Sequence, residues 1–233
     1  MRYFIGIKSR VSLWKKIAAV FSALSLFMLC VLFSSCQKAV DYYDYVSECR
    51  SNIFLAETDG FSFRAYALVR ETPYNSDGVV MQTAPRFETY FIAPSGDKEC
   101  TLTFRVNGKE YGGDMSYDNV KAEYYYFCSL DLSTAAEIDV SILYGETSLS
   151  LTAKSVLQDD ILSPKTALEK LCLSEKEFFA DMTDAYGFAG EIYLRLLYED
   201  DPFYYVGVIG KDGKTTAFLL NAKTGKVLAK RQS

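Results

Sequence analysis

The sequence predicts a mainly β protein, an antiparallel sandwich followed by a smaller α+β unit. Three observations predict it. Apolar residues recur with a period of two from about residue 61 to 153, and this period lengthens to that of a helix after Val156. Glycine turns then separate short apolar runs up to the C-terminus.

The elements follow in chain order. Residues 1–35 contain Arg2, Lys8, Arg10, Lys15 and Lys16 and no acid, the charge bias with which a translocation signal begins. Residues 17–33 form an apolar run interrupted only by Ser22 and Ser25. A run of 17 residues is at the lower limit for spanning a bilayer, so a permanent transmembrane helix is the competing assignment. Leu32-Phe33-Ser34-Ser35-Cys36, which follows, resembles the lipobox of bacterial lipoproteins, in which small residues precede a cysteine. That resemblance implies removal of residues 1–35 as a signal peptide and lipidation at Cys36. It also implies anchoring to the extracytoplasmic face of the bacterial cell membrane, each buried acyl methylene contributing ~0.8 kcal/mol. Residues 36–40 become a lipidated tether.

From Asp41 to Ser51 the chain reads as the end of the tether and an entering strand. Phe61, Phe63, Ala65, Ala67 and Val69 then alternate with Ser62, Arg64, Tyr66 and Arg70, as a half-buried strand requires. Similar alternation predicts strands over residues 86–92, 100–106, 122–130, 137–144 and 149–153. Residues 75–78, 94–97, 107–108 and 145–146 supply the turns. Short antiparallel strands at this spacing give residues 41–156 an immunoglobulin-like architecture. The Cys-Trp-Cys pattern of antibody domains is missing, since Trp14 is the only tryptophan.

After Val156, Gln158-Asp159-Asp160 is a polar connector. Ser163-Pro164 supplies an N-cap with proline at the first helical position, and Ala167, Leu168, Leu171 and Cys172 share one helical face. Ser174 and Glu177 have capping-box spacing, which predicts a second helix through Phe178, Phe179 and Met182, ending near Gly187. Strands follow over 191–198, 203–209 and 215–220, with a continuation at 226–229. Asp212-Gly213 predicts a type I′ hairpin turn, and Thr224-Gly225 a second glycine turn; both are assigned as structural. Tyr204-Tyr205-Val206-Gly207-Val208, Asp212-Gly213 and the ending Asn221-Ala222-Lys223-Thr224-Gly225-Lys226-Val227-Leu228 resemble a PepSY-like domain. The resemblance places such a domain in residues 157–233 and implies an exported or membrane-associated protein that binds or restrains a peptidase.

Chemistry is bounded mainly by exclusion. The chain has 0 His, which removes Ser-His-Asp and Cys-His catalysis, imidazole metal sites and the usual neutral-pH base. Removing the five basic residues of the leader leaves 20 basic against 30 acidic residues, a net charge near −10 that disfavours nucleic acid. No phosphate loop, dinucleotide fingerprint, calcium loop or Cys-x-x-Cys pair is present, so no cofactor and no metal is expected. Cys49, Cys100, Cys128 and Cys172 remain after the leader and lipid. They allow up to two disulfides in three pairings, or buried thiols. Asp159-Asp160 and Glu199-Asp200-Asp201 are the acidic clusters, read as solvated turns.

Among 18 tyrosines, Tyr125, Tyr204 and Tyr205 are the candidate binding residues, because adjacent tyrosines on a strand must face opposite ways and outward rings can stack on sugars or peptides. The expectation is a non-enzymatic lipoprotein with a protein, peptide or glycan partner at the cell envelope. The alternative is a carboxylate-dependent hydrolase of envelope or extracellular glycan.

Overall fold

A computed structural model describes residues 40–232, and residues 41–233 form one compact unit. The signal peptide, Cys36 and most of the tether lie outside the described residues. The protein is mainly β and antiparallel, a nearly closed sandwich continued by four strands under two short helices.

A 3-10 turn, Tyr42–Tyr45, opens the described chain. Asp41 caps it, accepting a hydrogen bond from the Tyr43 amide at 3.0 Å. Nine strands follow: β1 (Val46–Thr58), β2 (Phe61–Glu71), β3 (Thr83–Ile92), β4 (Cys100–Val106), β5 (Lys109–Asp114), β6 (Ser116–Asp118), β7 (Glu123–Cys128), β8 (Glu137–Tyr144) and β9 (Thr147–Ser155). The order β1-β2-β3-β7-β6 makes one layer, and β9-β8-β4-β5 makes the other. Their inner faces meet in a core that includes Phe54, Phe63, Phe87, Phe91, Leu102, Phe104, Val140 and Ile142. Strict alternation along β8 shows why the period of two was legible: every second residue is buried. Each fully buried phenylalanine contributes roughly 1.5–3 kcal/mol.

The β4–β5 connection is a two-residue hairpin in which Asn107 and Gly108 both have positive φ, 53° and 76°, the requirement of a type I′ turn. At Gly112, φ is +144° and a Cβ would lie 2.0 Å from the Leu102 carbonyl oxygen, so this close approach admits only glycine.

After β9 come α1 (Pro164–Ser174) and α2 (Lys176–Asp181). Ser163 caps α1, its hydroxyl accepting from the Thr166 amide at 3.2 Å, with Pro164 in the first turn. The expected capping box on α2 does not form: Glu175 occupies the cap position with no side-chain bond, and the Ser174 hydroxyl donates back to the Leu171 carbonyl. Ser174 is still the last residue of α1, so it does not adopt the extended cap conformation. Two short strands, β10 (Thr183–Asp184) and β11 (Gly187–Phe188), precede β12 (Gly190–Tyr198), β13 (Pro202–Gly210), β14 (Thr215–Asn221) and β15 (Val227–Gln232).

The β13–β14 hairpin differs from expectation in its turn. Gly213 donates to the Gly210 carbonyl at 2.9 Å and Gly210 to that of Lys214 at 3.0 Å, and only Gly213 has positive φ. This is a type I turn with a glycine bulge, because Asp212 keeps negative φ and accepts from the Lys214 amide. At the second turn, Asn221 accepts from the amides of Lys223 and Thr224, and Gly225, with φ of 75°, donates to the Asn221 carbonyl.

One strand joins the two stretches. β1 pairs with β12 through residues 46–50, the one parallel pairing in the large sheet, and with β9 through Phe54 and Leu55 on the same edge. The segment expected as tether is also engaged, since Tyr42 packs its ring 4.9 Å from Phe179 and 5.3 Å from Phe188. Where β12 and β9 diverge, the edge of β1 has no strand partner, and the buried Asn52 fills the fork. Its amide nitrogen donates to the carbonyls of Leu132, Ser133 and Ala135, and its oxygen accepts from the Ile53 amide and the Ser155 hydroxyl.

Candidate functional site

Because side chains alternate across a strand, the residues opposite the sandwich core and the helices form one outer face over β12, β1, β2, β3 and β7. Registers give its rows. Arg195, Arg50, Leu68 and Arg86 lie in one row, Tyr193, Glu48 and Arg70 in the next, and Arg64, Tyr90 and Tyr125 in a third. Five arginines therefore share the face of an acidic chain.

Each of those arginines sits over an aromatic ring. The guanidinium carbons of Arg50 and Arg86 are 3.9 Å from the ring centres of Tyr66 and Phe127. Those of Arg64, Arg70 and Arg195 are 5.4 Å from Tyr90, Tyr74 and Tyr193. Such contacts contribute about 0.5–2 kcal/mol and hold the guanidinium plane in place.

Four of the five are also neutralised. Glu48 receives Arg195 through Nε at 2.5 Å and Nη2 at 3.2 Å. Glu88 receives Arg70 at 2.9 Å, Arg86 at 2.6 Å and the Tyr90 hydroxyl at 3.0 Å. Burial, reinforced by the Glu88 charge, pushes the Tyr90 hydroxyl well above its ordinary value. Arg64 pairs with the buried Glu123. Arg50 is the exception: it forms no ion pair among the described residues, and its Nε is buried with no hydrogen-bond partner. Burial lowers its hold on the proton, an effect that the more distant Glu48 and Glu88 charges oppose without forming an ion pair.

Two grooves open on this face. One, of about 300 Å³, is lined by Arg86, Lys121, Tyr125 and Phe127 among others. The second, of about 310 Å³, is lined by Arg50, Arg64, Leu55, Ser62, Tyr198 and Glu199 among others.

Of the tyrosines singled out from sequence, Tyr125 lines the first groove and Tyr205 stands on the outer face opposite Arg195 in register. Tyr204 is fully buried on the helix side, its hydroxyl donating to the Leu162 carbonyl at 2.7 Å. Its assignment as a binding residue is corrected: the phase of β13 that carries Tyr204, Val206 and Val208 is the one the helices cover. Sequence reasoning missed the arginines, although their signal was present as the recurring polar phase Arg64, Tyr66 and Arg70 of one strand and Arg86 of the next.

The acidic clusters do not make a site of their own, although Glu199 lines the second groove. Asp160 pairs with Lys223 at 2.8 Å, and Asp200 and Asp201 are exposed. The buried acids are elsewhere: Glu191 accepts from the Ser47 hydroxyl and from the Gly78 amide, and Glu71 from the Met81 amide. Burial and the nearby Glu71 charge raise the Glu191 carboxyl above its ordinary range. These two carboxylates tie down residues 72–82 and line neither groove. Among the described residues no cluster of three or more acids, cysteines or histidines could hold a metal, and no helix is long and apolar enough to cross a membrane. Cys49, Cys100, Cys128 and Cys172 are all free thiols.

No family model, curated protein or solved structure matches the chain.

Proposed function

We propose that the chain is a non-enzymatic lipoprotein, held through lipid on Cys36 at the extracytoplasmic face of a bacterial membrane, and that its outer arginine-tyrosine face binds a partner at the cell envelope. The unpaired Arg50 carries this reading. A guanidinium held over Tyr66, beside a groove and with no ion pair of its own, gains by meeting an anion from outside the chain. Anchoring is supported by the basic start, the apolar run and the Ser34-Ser35-Cys36 sequence. The finer architecture belongs to the same proposal, an immunoglobulin-like sandwich followed by a PepSY-like unit; the glycine turns and the helix-then-hairpin order of the C-terminal stretch support it.

Two experiments test the proposal. Metabolic labelling with a fatty-acid probe should mark the chain and fail to mark Cys36→Ser, and label retained by the variant refutes the anchor. Capture of envelope material by the full chain should be lost in Arg50→Gln, whereas capture that is indifferent to that substitution refutes the face.

A further inference from the structure

The groove beside Arg50 lies over β1, β2 and β12, which are interior strands of the sheet. At the fork where β1 has no strand partner, the Ile53 amide donates to Asn52 Oδ1 and the Ile53 carbonyl accepts from the Val156 amide, so β1 offers a peptide laid across this groove no row of main-chain partners of the kind that strand addition requires. The residues that line the groove bring a planar guanidinium on Arg50, apolar side chains on Leu55 and Leu197, the ring of Tyr198, the Ser62 hydroxyl and the Glu199 carboxylate. A pyranose ring fits that set. Its C–H face packs on apolar and aromatic side chains, and its hydroxyls find Ser62 and Glu199 as partners. The unpaired guanidinium then asks for one more feature, a carboxylate, because a planar fork and a planar carboxylate match in two parallel hydrogen bonds.

Resting on the binding role proposed for this face, we infer that the groove lined by Arg50, Ser62, Tyr198 and Glu199 is a subsite for a hexuronate residue of an acidic glycan. Arg50 holds the uronate carboxylate, and Tyr66 fixes the guanidinium from behind at 3.9 Å. Arg64 lies in the same groove but is already paired with Glu123, so Arg50 sets the preference for charge.

The test is calorimetric titration of the full chain in detergent micelles with trigalacturonate, its methyl ester, and triglutamate. Trigalacturonate should bind, with the methyl ester and triglutamate each weaker by tenfold or more. Arg50→Gln should weaken trigalacturonate at least tenfold, and Arg50→Lys, which keeps the charge but loses the fork, should weaken it severalfold. Thermal melts of both variants that match the parent establish that the fold is intact, and Tyr198→Ala provides a second variant away from the sheet interior. Equal binding of acid and ester, or unchanged affinity in Arg50→Gln, overturns the inference. Triglutamate bound more tightly than trigalacturonate, with loss in Arg50→Gln, overturns the glycan subsite while leaving the face as a binding surface. No binding of any anion overturns both.

Discussion

Asn52 should be the most stability-critical polar residue of the fold, and Asn52→Leu is the perturbation that tests it. The side chain is fully buried where the edge of β1 passes from β12 to β9. Three of its bonds have good geometry: Nδ2 to the Ala135 carbonyl at 3.0 Å, and Oδ1 from the Ile53 amide at 2.8 Å and the Ser155 hydroxyl at 2.7 Å. Two more, at 3.4 Å to Leu132 and Ser133, are weak. At ~1 kcal/mol for each good bond, a leucine, which has the same branched shape but makes no hydrogen bonds, costs about 3 kcal/mol. For a protein of this size that lowers Tm by roughly 6–12 °C, read by circular dichroism or scanning calorimetry. Asn52→Asp keeps the acceptor but sets a charge against carbonyl oxygens, so its loss should be larger at pH 7 than at pH 4. A shift below about 2 °C for Asn52→Leu would refute the view that this side chain substitutes for missing strand pairing.

Three further outcomes follow from the same structure. Because burial raises the Glu191 carboxyl above its ordinary value, the folded state holds that proton more tightly than the unfolded chain; the associated stability is complete at low pH and is lost as pH rises through the folded value. Glu191→Gln should therefore flatten the dependence of Tm on pH above the ordinary carboxyl value of 4.5, and an unchanged slope counts against it. Of two fragments, residues 41–156 should melt cooperatively, since every member of the sandwich core from Phe54 to Ala153 lies within it. Residues 157–233 should not, because β12 then loses β1, and Phe179 and Phe188 lose Tyr42. A sharp melt of the second fragment alone refutes this. Burial pushes Cys49 and Cys100 up to about 11 and Cys172 to about 12, so a thiol reagent at pH 8 should modify Cys49 and Cys100 about two orders of magnitude, and Cys172 about three, more slowly in the folded chain than after denaturation. Equal rates would show that the thiols are accessible.

Sequence alone determined whatever depends on neighbours along the chain. The strand phases of β2, β4 and β8 follow from which alternate residues are apolar, and Ser163-Pro164 fixes the start of α1 through its own hydroxyl and ring. Asn107-Gly108 makes its turn because both residues tolerate positive φ. The absence of histidine excludes imidazole chemistry without any structure. Tertiary structure decided what depends on distant partners. β13 carries large side chains on both faces, so no periodicity could tell that Tyr204 lies under the helices and Tyr205 outside; the full burial of Tyr204 and its bond to the Leu162 carbonyl just before α1 settle it. β1 serves three neighbours, β12, β9 and β2, a fact of hydrogen-bond geometry that leaves no trace in its own composition. The outer face arises in the same way. Arg50, Arg64, Arg86 and Arg195 are far apart in the sequence, and only the strand registers bring them into adjacent rows, where three find a carboxylate and Arg50 does not.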